Sequence, residues 1–335
     1  MKYLFELSKE HKTLPIAEIL ASLAAEEVDY KISESNEDVL IIETNSKRDK
    51  IQKLANRLSL TFYVDELMFS CRPLLKAIRT KASENILEEK GTIATRCKNR
   101  SKSIDSKSIL DALADIYTKN RKVSLETPDI EIRGLITDST LYVGLKIAKI
   151  NSSQFRTRKV QNRPFFSPIS MHPKLARAIV NLSSIKRNEV LLDPFCGTGG
   201  ILIEAGLIGA KVVGSDIENK MIEGCKKTLD FYNIKKYNLF WSDIGEINKH
   251  VAEVDAIVTD LPYGKSTTTK GEKIDHLYER AFENFSKLLK RNGKAVVGLS
   301  DKRLISVGEK YLSLTEKHEF RAHRSLTRYF AVYKK

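Results

Sequence analysis

Long hydrophobic runs, paired cysteines and phosphate-binding glycine motifs are all missing from this 335-residue chain. No apolar run approaches the ~18 residues of a membrane span, so none is expected. The N-terminal MKYLFELSKEHKTLP has no apolar core before a small-residue cleavage site, and no signal peptide is expected. Cys71, Cys97, Cys196 and Cys225 form no C-x-x-C pair and fit no zinc spacing. No metal is therefore expected, and four scattered thiols suit a reducing, cytoplasmic setting. The chain shows no internal repeat or low-complexity segment. Acid is scarce relative to base: 43 Asp and Glu face 57 Lys and Arg, a formal charge of +14. That imbalance points to a polyanion as partner, because phosphate contacts release counterions.

What is present divides the chain in two. In the first 150 residues, KYLFEL and VLIIET read as strands, and LPIAEILASLAAEE and RDKIQKLANRLSLT as helices. Cys71 to Lys122 carries thirteen Lys and Arg against six acids, half of the net charge in under a sixth of the chain. There, TIATRCKNRSKSIDSK predicts a short strand and a basic loop, and SILDALADIYTKN a helix. DIEIRGLIT and TLYVGLKIA predict a hairpin. Arg96, Lys98, Arg100 and Lys102 are the candidate phosphate ligands, and a solvated basic face accounts for them equally well. Residues 151–168, NSSQFRTRKVQNRPFFSP, have the polarity of a linker.

From residue 169 the pattern is strand, turn and helix, repeated, which calls for a parallel sheet covered on both faces. EVLLDPF, AKVVGSDI, YNLFWSDI, DAIVTDL and KAVVGLS are the strands. KIDHLYERAFENFSKLLKRNG reads as a helix ending at Gly293, and the tail KHEFRAHRSLTRYFAVYKK as a hairpin. Ligands of such sheets bind beyond the carboxyl ends of the strands. Four strands end there in an acid: Asp193, Asp216, Asp243 and Asp260. One acid is a helix cap; four in succession are harder to explain that way.

The turn DPFCGTGG (Asp193 to Gly200) is neither G-x-G-x-x-G nor G-x-x-x-x-G-K-[ST], which counts against dinucleotides and nucleoside triphosphates. Asp193 at its head repels phosphate and welcomes an ammonium or a sulfonium. Asp216 stands where an acid accepts from ribose hydroxyls. Asp243 can accept from the amine of an adenine. Ribose, adenine and a cationic amino-acid tail without phosphate describe S-adenosylmethionine.

DPFCGTGG, GSDI, SDI and DLPYG in this order resemble the motifs of class I S-adenosylmethionine-dependent methyltransferases that act on exocyclic amines. Region 60–150 resembles a THUMP RNA-binding domain, preceded by a ferredoxin-like module. The bridge RPFFSPISMHPKLARAIVNL (163–182) and the loop PYGKSTTTKGE are similar to archaeal tRNA (guanine-N2) methyltransferases acting on guanosine 10. The resemblance implies an α/β, Rossmann-like methyltransferase domain at 169–335. It also implies a ferredoxin-like module at 1–60, a THUMP domain at 61–150 and a linker at 151–168. It implies tRNA as partner; no membrane association is expected, and with nothing in the sequence to suggest a dimer, a monomer is expected.

In this reading the cofactor-binding residues are Asp193, Phe195, Cys196, Gly197, Thr198, Gly199, Asp216, Ile217, Asp243 and Ile244. The catalytic residues are Asp260, Leu261, Pro262 and Tyr263. Leu261 replaces the first Pro of the family's Asp/Asn-Pro-Pro-aromatic motif, which leaves the backbone carbonyl as the working group there. Guanosine 6 as target, an adenine-N6 methyltransferase, and a non-catalytic RNA-binding protein remain open, as does the number of methyl groups added. Trp241 is expected in the core. His172 and Lys174 begin a helix or line the cofactor mouth. The loop GKSTTTKGEK is a candidate lid, and Arg324 and Arg328 either contact phosphate or serve solubility.

Overall fold

The computed structural model describes residues 1–165, 167, 170–263, 272–323 and 326–335. The loop 264–271 and Arg324 lie outside the described residues. The chain forms two compact units. One comprises Met1–Glu10, Val28–Asn56 and Thr61–Ile150; the other comprises His11–Glu27, Arg57–Leu60 and Asn151–Lys335.

The N-terminal region supplies β1 (Lys2–Leu7), α1 (Leu14–Ala25), β2 (Lys31–Ser35), β3 (Val39–Glu43) and α2 (Arg48–Ala55). β4 (Thr61–Cys71), α3 (Leu75–Glu84), β5 (Ile93–Asn99), α4 (Ser106–Tyr117), β6 (Ile130–Ile136) and β7 (Leu141–Lys149) follow. The first unit is one seven-stranded sheet, β2-β3-β1-β4-β7-β6-β5. β1 pairs antiparallel with β4, so the boundary expected at 60/61 falls within a single sheet. β4 escapes sequence reading because Asp65 and Glu66 interrupt its apolar character. Asp65 is buried there and ion-pairs with Arg133 at 2.6 Å. α4 starts where Asp105 accepts hydrogen bonds from the N–H groups of Lys107 and Ser108. Ile109 and Leu113 of α4 pack with Ile78 of α3 and Ile132 of β6.

α1 belongs to the second unit, where Leu14 joins the apolar core and Glu18 is buried. Glu18 accepts from Ser59 N (2.8 Å), Ser59 Oγ (2.7 Å), Leu60 N (2.7 Å) and Asn181 Nδ2 (2.8 Å). Four donors satisfy a group that burial would otherwise make costly. The expected linker is also structured, with a short helix α5 (Ser153–Thr157) and a 3-10 turn (Val160–Asn162). Arg158 and Arg177 both ion-pair with the buried Glu204, each at 2.8 Å. Paired charges, rather than apolar side chains, anchor this segment, which is why its polarity read as a linker.

The rest of the second unit comprises α6 (Pro173–Leu182), β8 (Val190–Asp193), α7 (Gly200–Leu207), β9 (Lys211–Asp216), α8 (Asn219–Phe231), β10 (Tyr237–Trp241) and β11 (Val254–Asp260). It ends with α9 (Ile274–Leu288), β12 (Leu289–Leu299), α10 (Ile305–Glu309), β13 (Ser313–His323) and β14 (Leu326–Lys334). The sheet order is β10-β9-β8-β11-β12-β14-β13. The first five strands are parallel, and the terminal hairpin adds β14 antiparallel to β12. Two apolar clusters cover the faces: Ala256 and Val258 of β11 join one, and Ile257 the other. The long helix ends at Leu288, not Gly293. Leu289 already pairs with Val254 of β11, and the chain turns at Asn292 with φ 67°.

Candidate active site

β8 is the first strand of its sheet in chain order. β9 and β10 are laid down on one side of it and β11 and β12 on the other. The reversal leaves a crevice beyond the carboxyl ends of β8 and β11, where open α/β sheets bind ligands. A pocket of about 470 Å³ lies there, a size suited to a cofactor. Asp193, Asp216, Asp243 and Asp260 all line it, as do Phe195, Cys196, Gly197, Thr198, Ile217, Ile244, Leu261, Pro262 and Tyr263. Gly199 is absent from that wall. It begins α7 with φ 82°, and a Cβ there would lie 2.7 Å from Cys225 Sγ. Its role is backbone conformation and packing. Gly197 (φ 48°) has open space where a Cβ would point, so its backbone is accessible to a ligand.

Each acid has a distinct setting. Asp193 is 1% exposed. Its Oδ1 accepts from Thr259 Oγ1 at 2.7 Å and from Phe195 N at 3.2 Å. Burial pushes its carboxyl up to about 7 against these two hydrogen bonds, and the charges of Asp216 and Asp260 add to the rise. Asp216 accepts from the N–H of Gly197 (2.9 Å) and of Glu218 (3.0 Å), which ties the glycine turn to the end of β9. Burial also raises its carboxyl above the ordinary value.

Asp243 is half-exposed. Arg280 of α9 grips it through both terminal nitrogens, at 2.7 and 3.2 Å, and Gly245 N donates at 2.7 Å. Burial works against its ionisation, but the Arg280 hydrogen bonds outweigh it and hold the carboxyl below the ordinary value.

Asp260 ends β11. Burial raises its carboxyl, opposed by the charge of Arg328 and by a hydrogen bond from the Tyr263 hydroxyl. Leu261 buries its side chain in the core and donates its N–H to Gly298 O at 3.0 Å. The Pro262 carbonyl accepts from Tyr278 of α9 at 2.9 Å. These two bonds fix the backbone at Leu261 and Pro262.

Sequence reading missed Arg280 and gave Arg328 a phosphate or solubility role; in the structure Arg280 reaches Asp243 and Arg328 reaches Asp260 and Tyr263. Trp241 is 67% exposed rather than in the core, with Nε1 donating to Ile217 O at 2.9 Å. It belongs to the edge strand β10, which has a sheet neighbour on one side only. His172 caps α6 by accepting from Lys174 N. In the first unit Lys98 and Lys102 are exposed. Arg96 donates to the Leu125 carbonyl and sits 3.5 Å from Glu131. Arg100 is withdrawn from any phosphate role: its guanidinium ion-pairs with Glu6 (3.0 Å) and Asp38 (2.7 Å) and is 8% exposed. Among the described residues no cluster of three metal-ligating side chains occurs, and no helix is long and apolar enough to cross a membrane.

The strand order and the acid-edged pocket define a class I S-adenosylmethionine-dependent methyltransferase fold. The solved structure of TrmN from Thermus thermophilus matches over 100% of both chains, with a TM-score of 0.59 and 17% identity. SMU.472, a putative methyltransferase complexed with SAH, matches over 98% of this chain and 97% of its own, with a TM-score of 0.52 and 14% identity. The family of RMKL-like methyltransferase domains matches residues 161–329, and a DNA methylase family matches residues 22–227.

A tRNA (guanine(10)-N2)-dimethyltransferase of Methanothermobacter thermautotrophicus is 35% identical over 99% of each chain. Its Methanocaldococcus jannaschii counterpart is 32% identical, again over 99% of each. The chain belongs to the family of tRNA (guanine(10)-N2)-dimethyltransferases.

Proposed function

We propose that the protein methylates the exocyclic N2 amine of guanosine 10 in tRNA. The products are N2-methylguanosine and, after a second transfer, N2,N2-dimethylguanosine. Full-length relatives bearing that name support the target, and Asp260 carries the chemistry. It is a carboxylate at the pocket wall, on the same edge as the three acids suited to the cofactor.

S-adenosylmethionine, when bound, supplies the methyl group on a cationic sulfur. Asp193 would hold its ammonium end, Asp216 its ribose hydroxyls and Asp243 its adenine amine. Gly197 and its neighbours Phe195, Cys196, Thr198, Ile217 and Ile244 form the surrounding wall. The N2 amine of guanine is a weak nucleophile because its lone pair is delocalised into the ring. Asp260 accepts one of its N–H groups and the Leu261 carbonyl the other, which orients the nitrogen and withdraws a proton as the bond forms. Pro262 stiffens the turn, and the Tyr263 ring stacks on the flipped-out base.

The first unit combines the ferredoxin-like and THUMP roles and holds tRNA by phosphate and shape, with Arg96, Lys98 and Lys102 as contacts. The enzyme works as a cytoplasmic monomer.

Nucleoside mass spectrometry of an unmodified tRNA transcript, with mapping of the modified position, tests this reading. Dimethylguanosine at position 10 supports it. A product at guanosine 6 favours the reading carried by the Archaeoglobus fulgidus relative, 25% identical over 64% of this chain. Adenine methylation in DNA, without tRNA product, favours the DNA methylase match.

A further inference from the structure

Arg328 carries a role that neither motif nor charge count assigns. It is 8% exposed, on β14, and does not point into solvent as a phosphate ligand must. Its Nε donates to the Tyr263 hydroxyl oxygen at 2.8 Å. The Tyr263 hydroxyl in turn donates to Asp260 Oδ1. A terminal nitrogen of Arg328 lies 3.4 Å from Asp260 Oδ2, and the guanidinium sits 5.6 Å from the Tyr263 ring centre.

The strand order makes this reach possible. β12 separates β11 from β14, and Gly298 of β12 is in register with Asp260 on one side and Phe330 on the other. A Cβ on Gly298 would lie 2.3 Å from Asp260 Oδ1. The missing side chain gives the carboxylate its space beside β12, on the side from which Arg328 comes.

We propose that Arg328 is a positioning residue for methyl transfer, holding the Asp260 carboxylate and the Tyr263 hydroxyl in one hydrogen-bonded arrangement that aims Asp260 at the target amine. The proposal rests on the assignment of Asp260 as the amine acceptor. Charge enters as well as geometry. Besides Arg328 and Tyr263, the titratable groups facing Asp260 among the described residues are Asp193 of β8 and Tyr278 of α9, neither of them a cation. Arg328 is thus the one positive group among them that favours the ionised acceptor over its protonated form. Acid conditions stop transfer by protonating Asp260, so loss of Arg328 moves the acid limb of the rate profile to higher pH.

The test uses the full-length protein with Arg328→Met and Arg328→Lys, assayed by single-turnover methylation of unmodified tRNA as a function of pH. Affinities for tRNA and S-adenosylmethionine are measured alongside. Arg328→Met is expected to slow transfer about 10- to 100-fold, the scale of a small misplacement of a reacting group. It is also expected to shift the acid limb upward and leave both affinities near wild type. Arg328→Lys is expected to restore the acid limb and part of the rate. A Met variant with wild-type rate and acid limb overturns the role, and so does a loss confined to tRNA affinity, which marks a phosphate contact. If Arg328→Met loses cofactor binding, Tyr263→Phe decides. It removes the linking hydroxyl and keeps both charges, and a wild-type rate from it overturns the proposal. Absence of product from the wild-type enzyme refutes the assigned reaction instead.

Discussion

Buried charges occur in both units, in opposite arrangements. In the first unit Glu6 meets both Arg100 and Arg133, Asp38 meets Arg100 and Lys9, and Asp65 meets Arg133, which also lies 3.4 Å over the Tyr63 ring. Cations alternate with anions there in one chain, from Lys9 through Asp38, Arg100, Glu6 and Arg133 to Asp65. At the carboxyl edge of the second sheet, Asp193, Asp216 and Asp260 are crowded with one another, and burial raises all three carboxyls. Among the described residues, only Asp260 of these three has an arginine beside it, Arg328 at 3.4 Å. Alternating charges hold a fold together; crowded acids hold a donor-rich or cationic ligand.

The largest expected effect separates chemistry from binding at that edge. Asp260→Ala should lower methyl incorporation into tRNA by about 10²–10⁴-fold, the range for a positioned acid or base. S-adenosylmethionine should still stabilise the variant in a thermal shift. Activity near wild type would end the catalytic assignment, and absence of stabilisation in the wild type would favour a binding-only protein.

Next in size is the alternating ion network of the first unit. Arg133→Met leaves Glu6 and Asp65 without their shared partner, and should cost about 3–5 kcal/mol in denaturant unfolding. Cofactor affinity should not change. An unfolding loss no larger than that of a surface substitution would show that the network contributes little.

Asp193 sharpens the contrast through pH. Its folded value of about 7 lies above that of an unfolded aspartate. The ligand-free protein therefore loses this group's contribution to stability as pH rises through the folded value. Cofactor affinity runs the other way, because a cationic ligand prefers the ionised carboxylate. The dissociation constant should rise by up to about tenfold per unit as pH falls below about 7. Asp193→Asn should flatten that dependence. Equal pH dependence in both proteins would assign it to another group.

The smallest effect concerns the exposed lysines. Lys98→Glu with Lys102→Glu should weaken tRNA binding and reduce its salt dependence by about one to two phosphate contacts. Cofactor affinity should be intact. Arg100→Glu should instead destabilise the first unit, since that side chain belongs to the network. If it behaves like the lysine pair, its burial is not what governs it.

Much of the second unit was legible because its information is local. Each strand, glycine turn and helix spans a short window, and the acid closing each strand sits inside its own motif. The first unit was harder. β4 carries its partnered acid within the strand, and Arg133, which pays for that burial, lies 68 residues later. The segment 151–168 read as a linker for the same reason: Arg158 is matched by Glu204, 46 residues on.

The sequence by itself determined the alternation of strand and helix, the four acids at strand ends, and the basic excess. Backbone periodicity and side-chain chemistry act within a few residues and leave their mark there. Only the tertiary structure decided which charges are spent and which are poised. It buried Arg100 in an ion network while leaving Lys98 exposed. It brought Arg280 to Asp243, and it carried Arg328 across β12 to Asp260. Electrostatic partners are chosen by proximity in space and by exclusion of water, and neither has a period along the chain.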